Sequence, residues 1–179
     1  MNDPRDAAIA AAVKSGGLTR WTVKLEIGEQ NLRRLWVRPE IKALIGSQQL
    51  HPSQRAAVEA ALKRFVTGGP FSVVTAESEH KEVESLGDLK ELKTGHPPFV
   101  EMRFKPPKDD LRFFGRFIGK DDLVLTGCGL KSIKGNTGKR QLKVPEQLAR
   151  CASIFGAVGF DINWVPRRIQ DSLSNANFG

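Results

Sequence analysis

The chain has no tyrosine and only two cysteines, Cys128 and Cys151. The two lie far apart and in no Cys-X-X-Cys pattern, which argues against a disulfide framework and against a cysteine zinc site. Both fit reduced, half-buried thiols in a cytosolic protein. No apolar run approaches the roughly 20 residues that a membrane span needs. The opening stretch MNDPRDAAIAAAVKSGG places acids before a short alanine-rich run, unlike a secretory signal. The expectation is a soluble, cytoplasmic protein with no membrane partner, no metal and no cofactor. Acid is the scarcer charge: 28 lysines and arginines stand against 20 aspartates and glutamates, a net charge of +8. That sign favours an anionic partner, whether nucleic acid, an acidic protein or a membrane surface, and does not choose among them.

A length of 179 residues suits one domain with extensions, and 40% apolar residues can build an ordinary core. Asp3 before Pro4 reads as a capped helix start, and Gly16–Gly17 as its stop. The alanines between supply helix propensity but little apolar bulk, so this helix is expected to be a peripheral arm. RWTVKLEI (20–27) alternates apolar and polar residues with strand period. Residues 29–45, interrupted by Pro39, read as a short helix or strand followed by a helix. HPSQRAAVEAALKRFVTGG (51–69) is the clearest helix, with Ser53 as the expected cap and Gly68 as its end. FSVVT (71–75) reads as a short strand and the acidic stretch 76–90 as a loop with a helical turn. Pro145 is expected to open a helix carrying Leu148, Cys151, Ala152 and Phe155 on one face. The division expected is a helical arm over 1–18, an α+β domain over 19–165 and a flexible tail over 166–179.

The densest β region is FVEMRF (99–104), LRFFGRFI (111–118) and DLVLTGCGL (122–130), separated by turn-forming KPPKDD and GKDD. It reads as an antiparallel meander. If the first hairpin closes with Phe104 facing Leu111, then Arg103 faces Arg112, Met102 faces Phe113, Glu101 faces Phe114 and Val100 faces Gly115. Side chains alternate faces along a strand. This register gives one wholly apolar face and puts Glu101, Arg103, Arg112 and Arg116 on the other, together with Phe99, Phe114 and Ile118. A slip by one residue would destroy that partition. Like charges directly opposite cost up to roughly 1 kcal/mol. Glu101, Asp109, Asp110 or a bound anion could offset that cost, and paired guanidiniums make good phosphate clamps. The plainer alternative is that both arginines are solvated residues on a half-exposed face, partly paired with acids. Phe114 could stack a base or belong to a second small core. After the meander, residues 131–143 hold Lys131, Lys134, Lys139, Arg140 and Lys143 with no acid among them, which could extend a positive strip for nucleic acid along the sheet.

The run LKELKTGHPPFVEMRFKPPKDDLRFFGRFIGKDDLVLTGCGLKS (89–132) resembles the C-terminal half of the RelE/HigB/ParE toxin superfamily, especially its phage-derived HigB-like branch. VEMR is similar to that branch's first arginine strand, LRFFGRF to its second and LVLTGCGLK to its third. The helix at 53–66 stands where the family has its second helix. The likeness covers about half of the chain. It implies an α+β fold in which a small antiparallel sheet packs its apolar face on helices, here with an added N-terminal helix. It also implies RNA binding, on the ribosome in many members, and an acidic antitoxin as protein partner. Many members cut RNA by helping the ribose 2′-oxygen attack the neighbouring phosphate. Carried over by position, Arg103 and Arg112 would clamp the phosphate and Lys131 would add a cationic contact. The chain departs from the pattern in lacking a late tyrosine, in having leucine before Arg112 and in its greater length. His96 and Glu101 are the candidates for general base, though His96 in GHPP also reads as a turn residue. Three functions stay open: a toxin-like endoribonuclease, a non-catalytic module that binds nucleic acid or an acidic protein, and a phage accessory or structural protein.

Overall fold

The computed structural model describes residues 3–75, 89–92, 99–104, 110–131, 153, 155–156 and 169–178. Helix α1 (Pro4–Lys14) starts where the Asp-Pro pair predicts: Asp3 is the N-cap and accepts a hydrogen bond from the Arg5 N–H at 2.9 Å. Bonds to Arg5 hold the Asp3 carboxyl down at about 2. Ser15 caps the other end, and Gly16 takes a positive φ of 77° that turns the chain back. Strands β1 (Thr19–Arg20) and β2 (Arg34–Val37) follow, then helices α2 (Pro39–Gly46) and α3 (Pro52–Val66) and strand β3 (Phe71–Val74). Proline stands at the first position of each of α1, α2 and α3, where its missing N–H costs nothing. In α3 that fixes the start at Pro52, so the cap is His51 rather than the expected Ser53. Its ring nitrogen accepts from the Ser53 N–H, while the Gln54 side chain accepts from the His51 N–H at 2.8 Å.

The remaining strands are β4 (Leu89–Glu91), β5 (Val100–Phe104), β6 (Asp110–Gly119), β7 (Asp122–Lys131) and β8 (Ala176–Phe178), the last preceded by a 3-10 turn at Ile169–Ser172. All eight join one sheet in the order β1-β2-β7-β6-β5-β4-β3-β8. The meander β5-β6-β7 is antiparallel as expected, with β4 added antiparallel to β5. The pairs β2-β7, β3-β4 and β3-β8 are parallel. The fold is therefore α+β as expected, but the sheet is mixed and far larger than the small antiparallel sheet expected. Two further expectations change. Leu89 and Lys90, assigned to the end of a loop, belong to the strand Leu89–Glu91. Residues 169–178, assigned to a flexible tail, wrap back and supply an edge strand.

One face of the sheet carries the main core. Leu35, Val37, Met102, Phe104, Phe113, Phe117, Leu123 and Leu125 pack there on Ile41 and Ile45 of α2 and on Val58, Leu62 and Phe65 of α3. The other face holds a second core, in which Ile9 and Ala12 of α1 and Phe155 lie against Phe99, Phe114, Ile118 and Val124. Helix α1 is thus a covering layer rather than a peripheral arm. Its small alanines let it lie close to the strands, and Arg34 of β2 ties it down by bonding Asp6 at 2.7 Å.

A bulge interrupts the central β6-β7 pairing. Phe114 pairs with Gly127 and Gly115 with Leu125, leaving Thr126 as the extra residue. The expected strand at 20–27 survives only as β1. Trp21, Val23 and Leu25 are half-buried and Thr22, Lys24 and Glu26 exposed, so the alternation is real. The ladder stops because Val23 would next meet Arg33, whose N–H goes to the Val66 carbonyl at 3.0 Å instead. Among the described residues no helix is long and apolar enough to cross a membrane.

Candidate functional site

The β5-β6 hairpin closes in the register supposed from the sequence: Phe104 opposite Leu111, Arg103 opposite Arg112, Met102 opposite Phe113, Glu101 opposite Phe114 and Val100 opposite Gly115. The two arginines are cross-strand neighbours on the face away from the main core. Among the described residues, one carboxylate bridges their like charges. Glu101 Oε1 lies 2.9 Å from Arg103 Nε and 2.9 Å from Arg112 Nε. In an antiparallel sheet Glu101 and Arg103 share a face on β5 while Arg112 stands across from Arg103, so the carboxylate reaches both guanidiniums without leaving its strand.

The three side chains are not solvated. Glu101 keeps 11% of its side-chain surface, Arg103 10% and Arg112 8%. The expectation of a less buried, half-exposed face is therefore corrected: these side chains are about nine-tenths buried, and elsewhere on that face α1 and Phe155 pack in a second core. Phe114, considered as a base-stacking platform, retains 1% exposure among Ile9, Ala12 and Ile118, so its aromatic faces belong to the core. Arg116 is 9% exposed and lies over two rings, 4.5 Å from the Phe99 centroid and 5.1 Å from that of Phe155. There it acts as a cation in an aromatic clasp. A buried ion set of this kind contributes geometry more than net stability, because desolvation consumes most of the attraction.

The backbone of Lys131 ends β7 opposite Asp110, and its side chain lies outside the described residues. His96, Lys134, Lys139, Arg140 and Lys143 lie outside them altogether, as do Cys151 and the start of the expected helix at Pro145. Cys128 is half-buried. Among the described residues no group of three or more histidine, cysteine or acidic side chains is placed to hold a metal ion.

Sequence reading missed a second ionic site at the β6-β7 turn. Adjacent Arg33 and Arg34 leave the chain toward opposite faces of the sheet. Arg33, 2% exposed, points to the main core: it bonds Asp121 at 3.1 Å, the Gly69 carbonyl at 2.8 Å and the Ser174 carbonyl, over the Phe65 ring. Burial pushes its pKa below the ordinary value, against the opposing pull of Asp121. Asp121, at a φ of 58°, accepts from both the N–H and the hydroxyl of Ser174. This clip binds the C-terminal segment that leads into β8. Arg34 reaches Asp122 at 2.6 Å on the other side, and Asp122 also accepts from Trp36 Nε1 at 2.8 Å. Burial raises the Asp122 pKa, with Arg34 and Trp36 acting in the opposite direction. The available signal was the pair of adjacent arginines before Leu-Trp-Val: alternation puts one of them on the apolar face, where it needs an acid.

Searches against protein-family models, curated proteins and solved structures found no match for this chain.

Proposed function

We propose that the chain is a non-catalytic RNA-binding module whose binding surface is its exposed basic residues rather than the arginine pair of the sheet. The observation that carries this reading is where the surplus charge falls. The ion pairs formed by Arg5, Arg33, Arg34, Arg38, Lys63, Arg103 and Arg112 engage Asp3, Asp6, Glu26, Glu29, Glu40, Glu101, Asp121 and Asp122, and so consume acids at least as fast as bases. The net +8 therefore resides in other cations. Lys14, Lys42 and Lys120 are exposed, and the 131–143 run adds five cations without an acid. Such charge favours a polyanion.

A labelled single-stranded RNA of about 20 nucleotides should bind at low salt and release steeply as salt rises, because each phosphate contact frees counterions. Replacing Lys134, Lys139, Arg140 and Lys143 by glutamine should flatten the plot of log affinity against log salt by about 3, from roughly 0.7 per contact. Binding that ignores salt, or a quadruple variant that binds like the wild type, would refute the reading.

The toxin-like endoribonuclease of a type II toxin–antitoxin system is the second reading, supported by the Arg103–Arg112 register. It requires Glu101 to release both guanidiniums to a phosphate. Transcript cleavage and growth arrest on expression, both lost in Arg103→Ala and Arg112→Ala variants that still fold, would favour it over simple binding.

A further inference from the structure

The open edge of the sheet is the run from Arg20 to Ile27. Its first two residues pair with β2, and the Trp21 N–H still reaches the Leu35 carbonyl at 2.8 Å. Beyond that point, among the described residues, no main-chain hydrogen bond joins Thr22, Val23, Lys24 or Leu25 to another residue. The run continues the alternation of a strand but has no strand partner among the described residues. It ends in a tight turn, Glu26 to Glu29, closed by a 3.0 Å bond and enabled by Gly28 at a φ of 88°. At the tip the Ile27 side chain is completely exposed. Between the run and α3 lies a groove of about 560 Å³ lined by Trp21, Thr22, Val23, Lys24, Glu26 and two α3 residues. Free backbone groups and an exposed apolar tip on a sheet edge are a template for strand addition.

We propose that this edge pairs with the same edge of a second copy of the chain, forming a two-fold symmetric antiparallel ribbon centred on Val23. The order of charges selects that occupant. With Val23 opposite its own mate, Trp21 falls opposite Leu25 on the face toward the core, and Thr22 falls opposite Lys24. Arg20 falls opposite Glu26, and symmetry forms that oppositely charged pair twice. In the β1-β2 pairing Arg20 is a residue whose N–H and C=O point away from β2, and by alternation those of Thr22 and Lys24 do too, so the groups that would bond the second copy face outward. Arg20 is exposed, lying 6.0 Å from the Trp36 ring. Glu26 holds Lys63 at 3.0 Å yet keeps 78% of its side-chain surface, so a second cation can reach it. A dimer of this kind is isologous and closes on itself.

Charge reversal tests the proposal without touching the core. Sedimentation equilibrium should show a concentration-dependent dimer for the wild type. Arg20→Glu and Glu26→Arg should each weaken dimerisation by about tenfold, since each turns two attractive pairs into repulsive ones. The double variant should regain it, and an equimolar mixture of the two single variants should form a heterodimer. Lys24→Pro, which removes one outward donor, should abolish dimerisation while the circular dichroism of the fold is kept. A wild type that stays monomeric at every concentration overturns the proposal. So does a dimer indifferent to all three single substitutions, or one that the charge-swapped pair does not restore.

Discussion

Replacing Glu101 by glutamine is expected to cost about 3–5 kcal/mol of folding stability, the range for breaking a buried ion set by removing one partner. Glutamine keeps the shape of the side chain, so the loss isolates the charge. Arg103 and Arg112 stand directly opposite each other, each 2.9 Å from the same carboxylate oxygen, with about a tenth of each side chain exposed. Without that anion, two guanidiniums face each other across the ladder and lose the charge that bridges them. Urea unfolding measures the change, and an unchanged m-value would show that both proteins unfold from comparably compact states. The triple variant Glu101→Gln, Arg103→Met, Arg112→Met should recover most of the loss, because apolar replacements remove the desolvation penalty together with the charges. A cost below about 1 kcal/mol for the single change would place Glu101 among ordinary surface partners and contradict its bridging role.

Gly115→Ala should destabilise the protein by at least about 3 kcal/mol, within the range of a severe core or backbone clash. A Cβ at that position would sit 2.1 Å from the Val124 carbonyl oxygen and 3.0 Å from the Leu125 Cα. Both are backbone atoms of the adjoining strand, so no side-chain rotation relieves the contact. The position is where β6 meets the β7 bulge, and the bulge brings the two chains closer than a side chain permits. At roughly 2–4 °C per kcal/mol for a chain of this size, the melting temperature should fall by about 6–12 °C. Gly46→Ala is the control: nothing lies within 4 Å of its added Cβ, and the change should be neutral or slightly stabilising. A Gly115→Ala protein that melts with the wild type would mean that the bulge can open.

The legible parts of this fold were those with a strong local pattern. The β5-β6 register followed from one requirement, that Arg103, Arg112 and Arg116 not face the apolar side. A slip by one residue breaks it, and closing the hairpin with Phe104 opposite Leu111 picks out the observed pairing among those in phase. Helix α3 followed from its apolar stripe, with an error of two residues at the cap because Pro52 outweighed Ser53. What covers the second face was not legible. Phe99, Phe114 and Ile118 stood among charges and read as isolated, while α1 offered mainly alanine. The two surfaces complete each other only in three dimensions, where Ile9 and Ala12 meet Phe114 and Ile118. The arginine pair was thus placed correctly along the strands and wrongly in depth. The parallel partners were illegible for a related reason. Strand β8 is three residues long, and it is held against β3 with help from Arg33 and Asp121, which bond Ser174 from more than 50 residues away.

Arginine modification by phenylglyoxal, read by peptide mass spectrometry on the native protein, tests most directly whether the arginine pair is a closed structural element. Arg103 and Arg112 should react at least about tenfold more slowly than exposed Arg20, and the difference should vanish in denaturant, since slow reaction then reports opening of the fold. Modification of Arg103 and Arg112 at the rate of Arg20 in the folded protein would contradict the account and return the pair to the surface as a phosphate clamp.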